Sequence, residues 1–183
     1  MKKSITITGS LGSGKSTVAK CLSSKLGLTY YSTGLAQRQI AAQMGITTLE
    51  LNHLADKDKS IDEKIDGVIK AMNNDGNAYI VDSRLAWHFM PDSFKVKLIV
   101  QKQEAANRIF NDKLRSGESK YNNAQDVLIA TEQRRASERE RFLRVYGVDI
   151  ENDSAFDLVL DTTNLSIDEA CDAIEKAYKK TLN

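Results

Sequence analysis

Gly9-Ser10-Leu11-Gly12-Ser13-Gly14-Lys15-Ser16 puts glycines, a lysine and a hydroxyl at the spacing G-x-x-x-x-G-K-[ST], and Thr17 follows. Residues of these types at this spacing can hold a phosphate chain. Gly9, Gly12 and Gly14 allow backbone torsions closed to other residues, so that N–H groups can close on phosphate oxygens. Lys15 brings a mobile positive charge to the outer phosphates, and the Ser16 hydroxyl can hold Mg²⁺. A chance glycine-rich turn would lack the right flanks. Here the β-branched run Ser4-Ile5-Thr6-Ile7-Thr8 precedes the loop and a helical pattern over 17–26 follows it, so a helix N-terminus adds its dipole to the anion site. The expected ligand is a nucleoside triphosphate.

A second set of residues could surround such a loop with charge. Asp82 ends the apolar run Ala78-Tyr79-Ile80-Val81, and ligands of open α/β sheets collect at the carboxyl ends of strands. Asp82 is therefore placed to orient the water shell of a metal ion, a role compatible with capping a helix. Arg84 lies just beyond it, and Arg38 lies beyond the small polar turn Ser32-Thr33-Gly34. Five of the nine arginines (Arg134, Arg135, Arg139, Arg141 and Arg144) fall in one helical segment, 124–146. There Arg134 and Arg141 share a face with Ser137 and Glu138, and Arg135 and Arg139 share the next one. Moving a phosphoryl group between two phosphate-bearing molecules needs cations from several segments and a site closed to water. The arginine fork suits that task. The same helix could instead be a solvated face with ion pairs to Glu132, Glu138 and Glu140. Next to a phosphate loop, at least two of its arginines are expected to touch phosphate.

The elements that must position these residues alternate. Strands are expected over 28–31, 78–82, 95–100 and 156–161 besides the first. Helices are expected over 35–44, from the capping box Thr47-Thr48-Leu49-Glu50 through 55, from a second box at Ser60 through 74, over 104–114 and 124–146, and after the box Ser166-Ile167-Asp168-Glu169. About forty residues of helix between two strands exceed what a plain crossover needs, which suggests a functional insertion. The polar stretch 116–123 has no periodicity and reads as a mobile loop. Strands alternating with helices imply one α/β domain with a parallel sheet covered on both faces.

With 183 residues and a net charge of +1, the chain can bury a real core and has no field to recruit nucleic acid or a membrane. It has no apolar run of membrane-spanning length and no secretory segment, so a cytoplasmic protein is expected. Cys21 and Cys171 read as reduced core thiols, and with only His53 and His88 no structural metal is expected. Trp87 and His88 read as packing residues.

Taken together, the chain resembles the nucleoside monophosphate kinases, and within them the cytidylate kinases of the short archaeal-type branch. The resemblance spans nearly the whole chain. It rests on residues 9–17, Ser32-Thr33-Gly34 with Arg38, Val81-Asp82-Ser83-Arg84-Leu85-Ala86, the segment 134–141, Tyr146-Gly147-Val148-Asp149-Ile150 and Phe156-Asp157-Leu158-Val159-Leu160-Asp161-Thr162. It implies a P-loop NTPase fold with a five-stranded parallel sheet. It implies a core formed by 1–34, 77–110 and 147–183, a nucleoside monophosphate-binding insertion at 35–76 and a lid at 111–140. The implied reaction is ATP + CMP (or dCMP) to ADP + CDP with Mg²⁺, by a monomer that binds only small nucleotides. Ser32, Gly34, Arg38, Asp82 and Arg84 match acceptor-binding positions. Arg134 and Arg141 match lid arginines that grip both nucleotides, and Arg108 matches a basic position at the start of the lid. The family pattern is not met at Gln37, where an aromatic residue is usual, at Leu35, where an acidic one is common, or at Asp112, where a second lid arginine is frequent. A kinase for another small acceptor, or a nucleotide-binding regulatory protein without the reaction, stays open on the sequence.

Overall fold

Parallel pairing of five short strands organises the chain. The computed structural model describes residues 3–55, 58–112 and 121–182. Its strands are β1 (Ile5–Gly9), β2 (Thr29–Ser32), β3 (Tyr79–Asp82), β4 (Phe94–Ile99) and β5 (Leu158–Asp161), in the sheet order β2-β3-β1-β4-β5. The helices are α1 (Lys15–Leu26), α2 (Thr33–Met44), α3 (Thr48–Ala55), α4 (Lys59–Asn74), α5 (Ala86–Phe89), α6 (Lys102–Asn111), α7 (Ala124–Tyr146) and α8 (Ile167–Lys180). This is the P-loop NTPase architecture, with helices on both faces of the sheet.

Alternation along the strands explains the layers. Ile5 and Ile7 face a core shared with Ile80, Val96 and Leu98, and α1 and α8 close it with Val18, Leu22, Cys171, Ile174 and Tyr178. On the other face Val81 meets Ile69 of α4 with Ala86 and Met90. Thr6 and Thr8 also point that way, and both are buried. Thr6 Oγ1 lies 3.0 Å from Ser93 Oγ, and Thr8 Oγ1 donates to the Arg84 carbonyl at 3.2 Å. A third cluster, Ala106, Ile109 and Val127, joins α6 to α7 and takes in Leu11 of the glycine loop. The loop is thereby held between the sheet and the long helix.

Several boundaries differ from expectation. The helix after the loop begins at Lys15, not at 17, with Gly14 as its cap. Ser32 caps α2 by accepting from the Leu35 amide, so Thr33 and Gly34 form its first turn and not a free turn. The expected box at Ser60 is absent. Asp58 is the cap, accepting from the Ser60 amide at 2.9 Å, because a carboxylate two residues upstream reaches that donor first. The last strand starts at Leu158, since Asp153–Ala155 is a 3-10 turn that stops Phe156 from pairing. Leu114 and residues 116–120 of the expected loop lie outside the described residues. Among the described residues no helix is long and apolar enough to cross a membrane.

Cys21 and Cys171, remote in sequence, meet where α1 packs on α8. Burial, with the neighbouring Cys21 thiol adding to it, pushes the Cys171 thiol up to about 12, so it stays protonated and packs as a small hydrophobe. The box at Ser166 forms as expected. The Ser166 amide donates to Glu169 Oε2 at 2.8 Å, and the Glu169 amide donates back to Ser166 Oγ at 3.2 Å. Ser166→Ala should therefore cost about 1 kcal/mol in urea unfolding, and an unchanged midpoint would show that the box adds nothing to docking of α8.

Candidate active site

Strand register brings the chemistry-bearing residues to one edge. β2 pairs with β3 so that Ser32 lies opposite Asp82, and β1 pairs with β3 so that Ile7 lies opposite Asp82. The central strand β1 then runs directly into the glycine loop. At Gly9 (φ 140°) an added Cβ would lie 2.0 Å from the Leu98 carbonyl oxygen, and at Gly12 one would lie 2.7 Å from that of Ala105. The loop can approach β4 and α6 this closely only without side chains at those two positions. Ser13 Oγ donates to the Ser10 carbonyl at 2.8 Å, and Thr162 Oγ1, beyond β5, donates to the Ser13 carbonyl at 3.0 Å.

Within this frame Lys15 Nζ donates to the carbonyls of Gly9 (2.9 Å) and Ser10 (2.7 Å), at the mouth of a cavity of about 130 Å³. Ser16 Oγ donates to Asp82 Oδ2 at 2.5 Å, and the hydroxyls of Tyr30 and Ser32 lie 3.4 Å from the same oxygen. Asp82 is buried. The pair can offer a hydroxyl and a carboxylate oxygen to one hard cation.

Arg38 and Arg84 line the cavity, and so do Arg134 and Arg141. No carboxylate pairs with Arg38 among the described residues. Glu138, 6% exposed, joins the others: its Oε2 lies 2.9 Å from Arg84 Nε and its Oε1 2.9 Å from Arg134 Nε. Arg84 Nη1 also donates to the Gly9 carbonyl. Burial works against the charge on Glu138. Arg84 and Arg134 outweigh it and hold the carboxyl below the usual carboxylate range. Arg141 Nε lies 3.8 Å from Asp62 Oδ2. The two faces of α7 thus part company. Arg135 Nε donates to Glu151 Oε1 at 2.7 Å, and Arg139 donates to both carboxylate oxygens of Asp149, at 2.9 and 2.7 Å. These two arginines anchor the segment after α7, and Arg144 is exposed. Arg108 lies apart from the cavity. Its Nη2 donates to the carbonyls of Thr162 and Thr163 at 2.9 Å each, so it borders the glycine loop through Thr162.

A larger cavity, about 210 Å³, opens on the far side of Arg84 and Glu138, between β4 and α7. Lys97 there is bonded to the Ile150 carbonyl (3.0 Å) and to Asp153 (2.6 Å). Lys15, Ser16 and Asp82 all lie on the smaller one, which is therefore the candidate site.

Three features escaped the sequence reading. In the sequence Glu138 reads as a helix ion pair, because its second arginine comes from another segment. Thr162 sits at a strand's carboxyl end, a signal that could have found it. Asp66 and Tyr146 are too far apart in sequence to be read as a pair. Tyr146 OH donates to Asp66 Oδ2 at 2.6 Å, bridging α4 and α7. Burial, then the bond to Asp66, pushes the Tyr146 hydroxyl up. Burial also pushes the Asp66 carboxyl up, although Tyr146 pulls it down. Trp87 stands edge-on to Phe156, 5.0 Å between ring centroids, and its Nε1 donates to the Arg84 carbonyl at 3.0 Å; His88 stands edge-on to Phe89 and Tyr146.

The sequence profile of the cytidylate kinase-like family matches residues 4–164. The chain belongs to the cytidylate kinase-like family. Like the family, it is an enzyme of the nucleoside monophosphate kinase class. It is 39% identical over 176 residues to the cytidylate kinase of Sulfolobus acidocaldarius, with 93% of this chain and 91% of that protein covered. It is also 34% identical over 185 residues to an S-adenosylmethionine-dependent nucleotide dehydratase of Lacinutrix mariniflava, covering 99% of this chain but spanning only 37% of that longer protein. Among solved structures, shikimate kinase from Bacteroides thetaiotaomicron superposes with a TM-score of 0.64 at 16% identity over 97% of this chain and 98% of that one, a likeness of fold.

Proposed function

We propose that this kinase transfers the terminal phosphoryl group of ATP to CMP or dCMP, giving ADP and CDP or dCDP, with Mg²⁺. The observation that carries the reading is the single cavity shared by Lys15, Ser16 and Asp82 on one side and by Arg38, Arg84, Arg134 and Arg141 on the others. Two sets of phosphates fit that arrangement: one on the glycine loop, one between the arginines. The curated cytidylate kinases of similar length support the choice of base.

Ser16 and Asp82 fit a magnesium ion, since both are hard oxygen donors and two protein ligands leave room for phosphate oxygens and water. Bound there, the ion would neutralise charge building up on the bridging phosphate oxygens. The chain's own residues do the rest. Lys15 leaves the loop carbonyls for the outer phosphates of the donor. Arg84 and Arg134, both held through Nε by Glu138, bring their guanidinium groups to the phosphates between donor and acceptor. Arg38 and Ser32 hold the acceptor. Arg108 and Thr162 border the donor side. We read α2 to α4 as the acceptor-binding insertion and the segment leading into α7 as the lid.

The test is ADP formation with ATP, Mg²⁺ and a panel of nucleoside monophosphates. CMP or dCMP should give the highest kcat/KM, and a protein that binds ATP yet phosphorylates none of the panel would overturn the reading. Arg38→Ala should raise KM for the acceptor by on the order of tenfold or more, from loss of a charge-assisted phosphate contact, and leave KM for ATP nearly unchanged. A collapse of ATP affinity with acceptor affinity intact would reverse the division into donor and acceptor sides.

A further inference from the structure

The candidate cavity is not uniformly cationic. Lys15, Arg84 and Arg134 gather at the end next to the glycine loop, whereas α4 contributes Asp62 and Asp66 to the wall. Asp62 is balanced by Arg141, 3.8 Å away. Asp66 is 7% exposed, and one of its oxygens is held by the Tyr146 hydroxyl at 2.6 Å. Its other oxygen accepts no hydrogen bond among the described residues. Ile65, next to it on α4, and Phe142, one turn before Tyr146 on α7, add apolar wall beside it. A buried carboxylate with one oxygen pinned and one available, beside apolar walls in the same cavity, is suited to the edge of a flat ring that carries N–H donors.

We propose that Asp66, positioned by Tyr146, reads the acceptor's base and selects an exocyclic amino group over a carbonyl at the same ring position. The inference rests on the nucleoside monophosphate kinase reading above and specifies its acceptor. The amino group of cytosine donates to the available oxygen of Asp66. Uracil presents a carbonyl oxygen at that position, and a carboxylate repels it. A site built to accept a hydrogen bond rejects the analogue that lacks the donor, because its own buried acceptor is left unpaired. Tyr146 belongs to α7, the helix that also carries Arg134 and Arg141, so the helix that aims the reader also carries the phosphate cations.

CMP and UMP differ only at that edge, so their comparison is the experiment. The kcat/KM ratio of CMP over UMP, and the two dissociation constants by calorimetry, are measured for the full chain, Asp66→Asn and Tyr146→Phe. Asp66→Asn should lower the CMP/UMP ratio by roughly 10- to 100-fold, losing CMP and gaining UMP because the amide can donate to a carbonyl. Tyr146→Phe should lower it less, since the carboxylate remains but is no longer anchored. KM for ATP should hold in both. An unchanged ratio in folded Asp66→Asn overturns the proposal, and if that variant does not fold, an unchanged ratio in Tyr146→Phe does so. If the wild-type chain turns over neither nucleotide, the kinase reading fails by itself and calorimetry still decides this one. Tighter binding of CMP that is lost in Asp66→Asn supports it, and equal binding or none overturns it.

Discussion

Lys15→Ala should lower kcat by on the order of 100-fold or more while leaving the fold intact. The reason is positional. Lys15 Nζ rests on two carbonyls that keep other donors after its removal: Arg84 Nη1 on Gly9, and the hydroxyl and amide of Ser13 on Ser10. Neither of these carbonyls is left without a donor, so the folding cost is small. The loss falls on the one mobile cation that the loop can offer to the outer phosphates. Steady-state turnover with ATP and CMP, together with a thermal melt, checks both halves. Near-wild-type turnover in a folded variant would remove the glycine loop from the reaction.

Glu138→Ala should have the largest effect on stability, on the order of 3 to 5 kcal/mol in denaturant unfolding, because it removes the buried carboxylate that two largely buried guanidinium groups share. The pH dependence has a definite sign. The folded carboxyl lies below its ordinary range, so its contribution is complete above the ordinary carboxylate pKa and is lost as pH falls through the lowered folded value. The gap between wild type and variant should therefore narrow on acidification. Turnover should fall as well, since Arg84 and Arg134 lose their common anchor. Added nucleotide should stabilise the variant more than the wild type, because bound phosphates restore the missing negative charge. Equal stability of the two proteins at neutral pH would show that the arginines find other partners and that Glu138 does not organise them.

Local chemistry made much of this protein readable from its residues. The glycine loop, its flanking strand and helix, the Thr47 and Ser166 caps and the alternation of strands and helices all depend on neighbours within a few positions. That is the range over which torsional freedom, capping and hydrophobic periodicity act. The helix after the Ser166 box reads well for the same reason, although Ile167 in its first turn is exposed while Ala170, Cys171, Ile174 and Tyr178 are buried.

Tertiary structure decided what distance in sequence concealed. Sheet order and register, set by burial on both faces, put Ser16, Ser32 and Asp82 at one point. Packing of α7 against α6 and the segment after β3 sorted its arginines, turning Arg134 and Arg141 to the cavity and giving Arg135 and Arg139 to Glu151 and Asp149. An isolated helix offers both faces equal claim to phosphate, so composition alone could not make that division. The same packing set Glu138 between arginines of two segments and Tyr146 against Asp66, pairs with no local signature. By itself, then, the sequence determined that a phosphate loop opens an alternating α/β domain. Which cations and carboxylates share its cavity depended on long-range packing, because a charge acquires its role from partners that only the folded sheet and helices bring near.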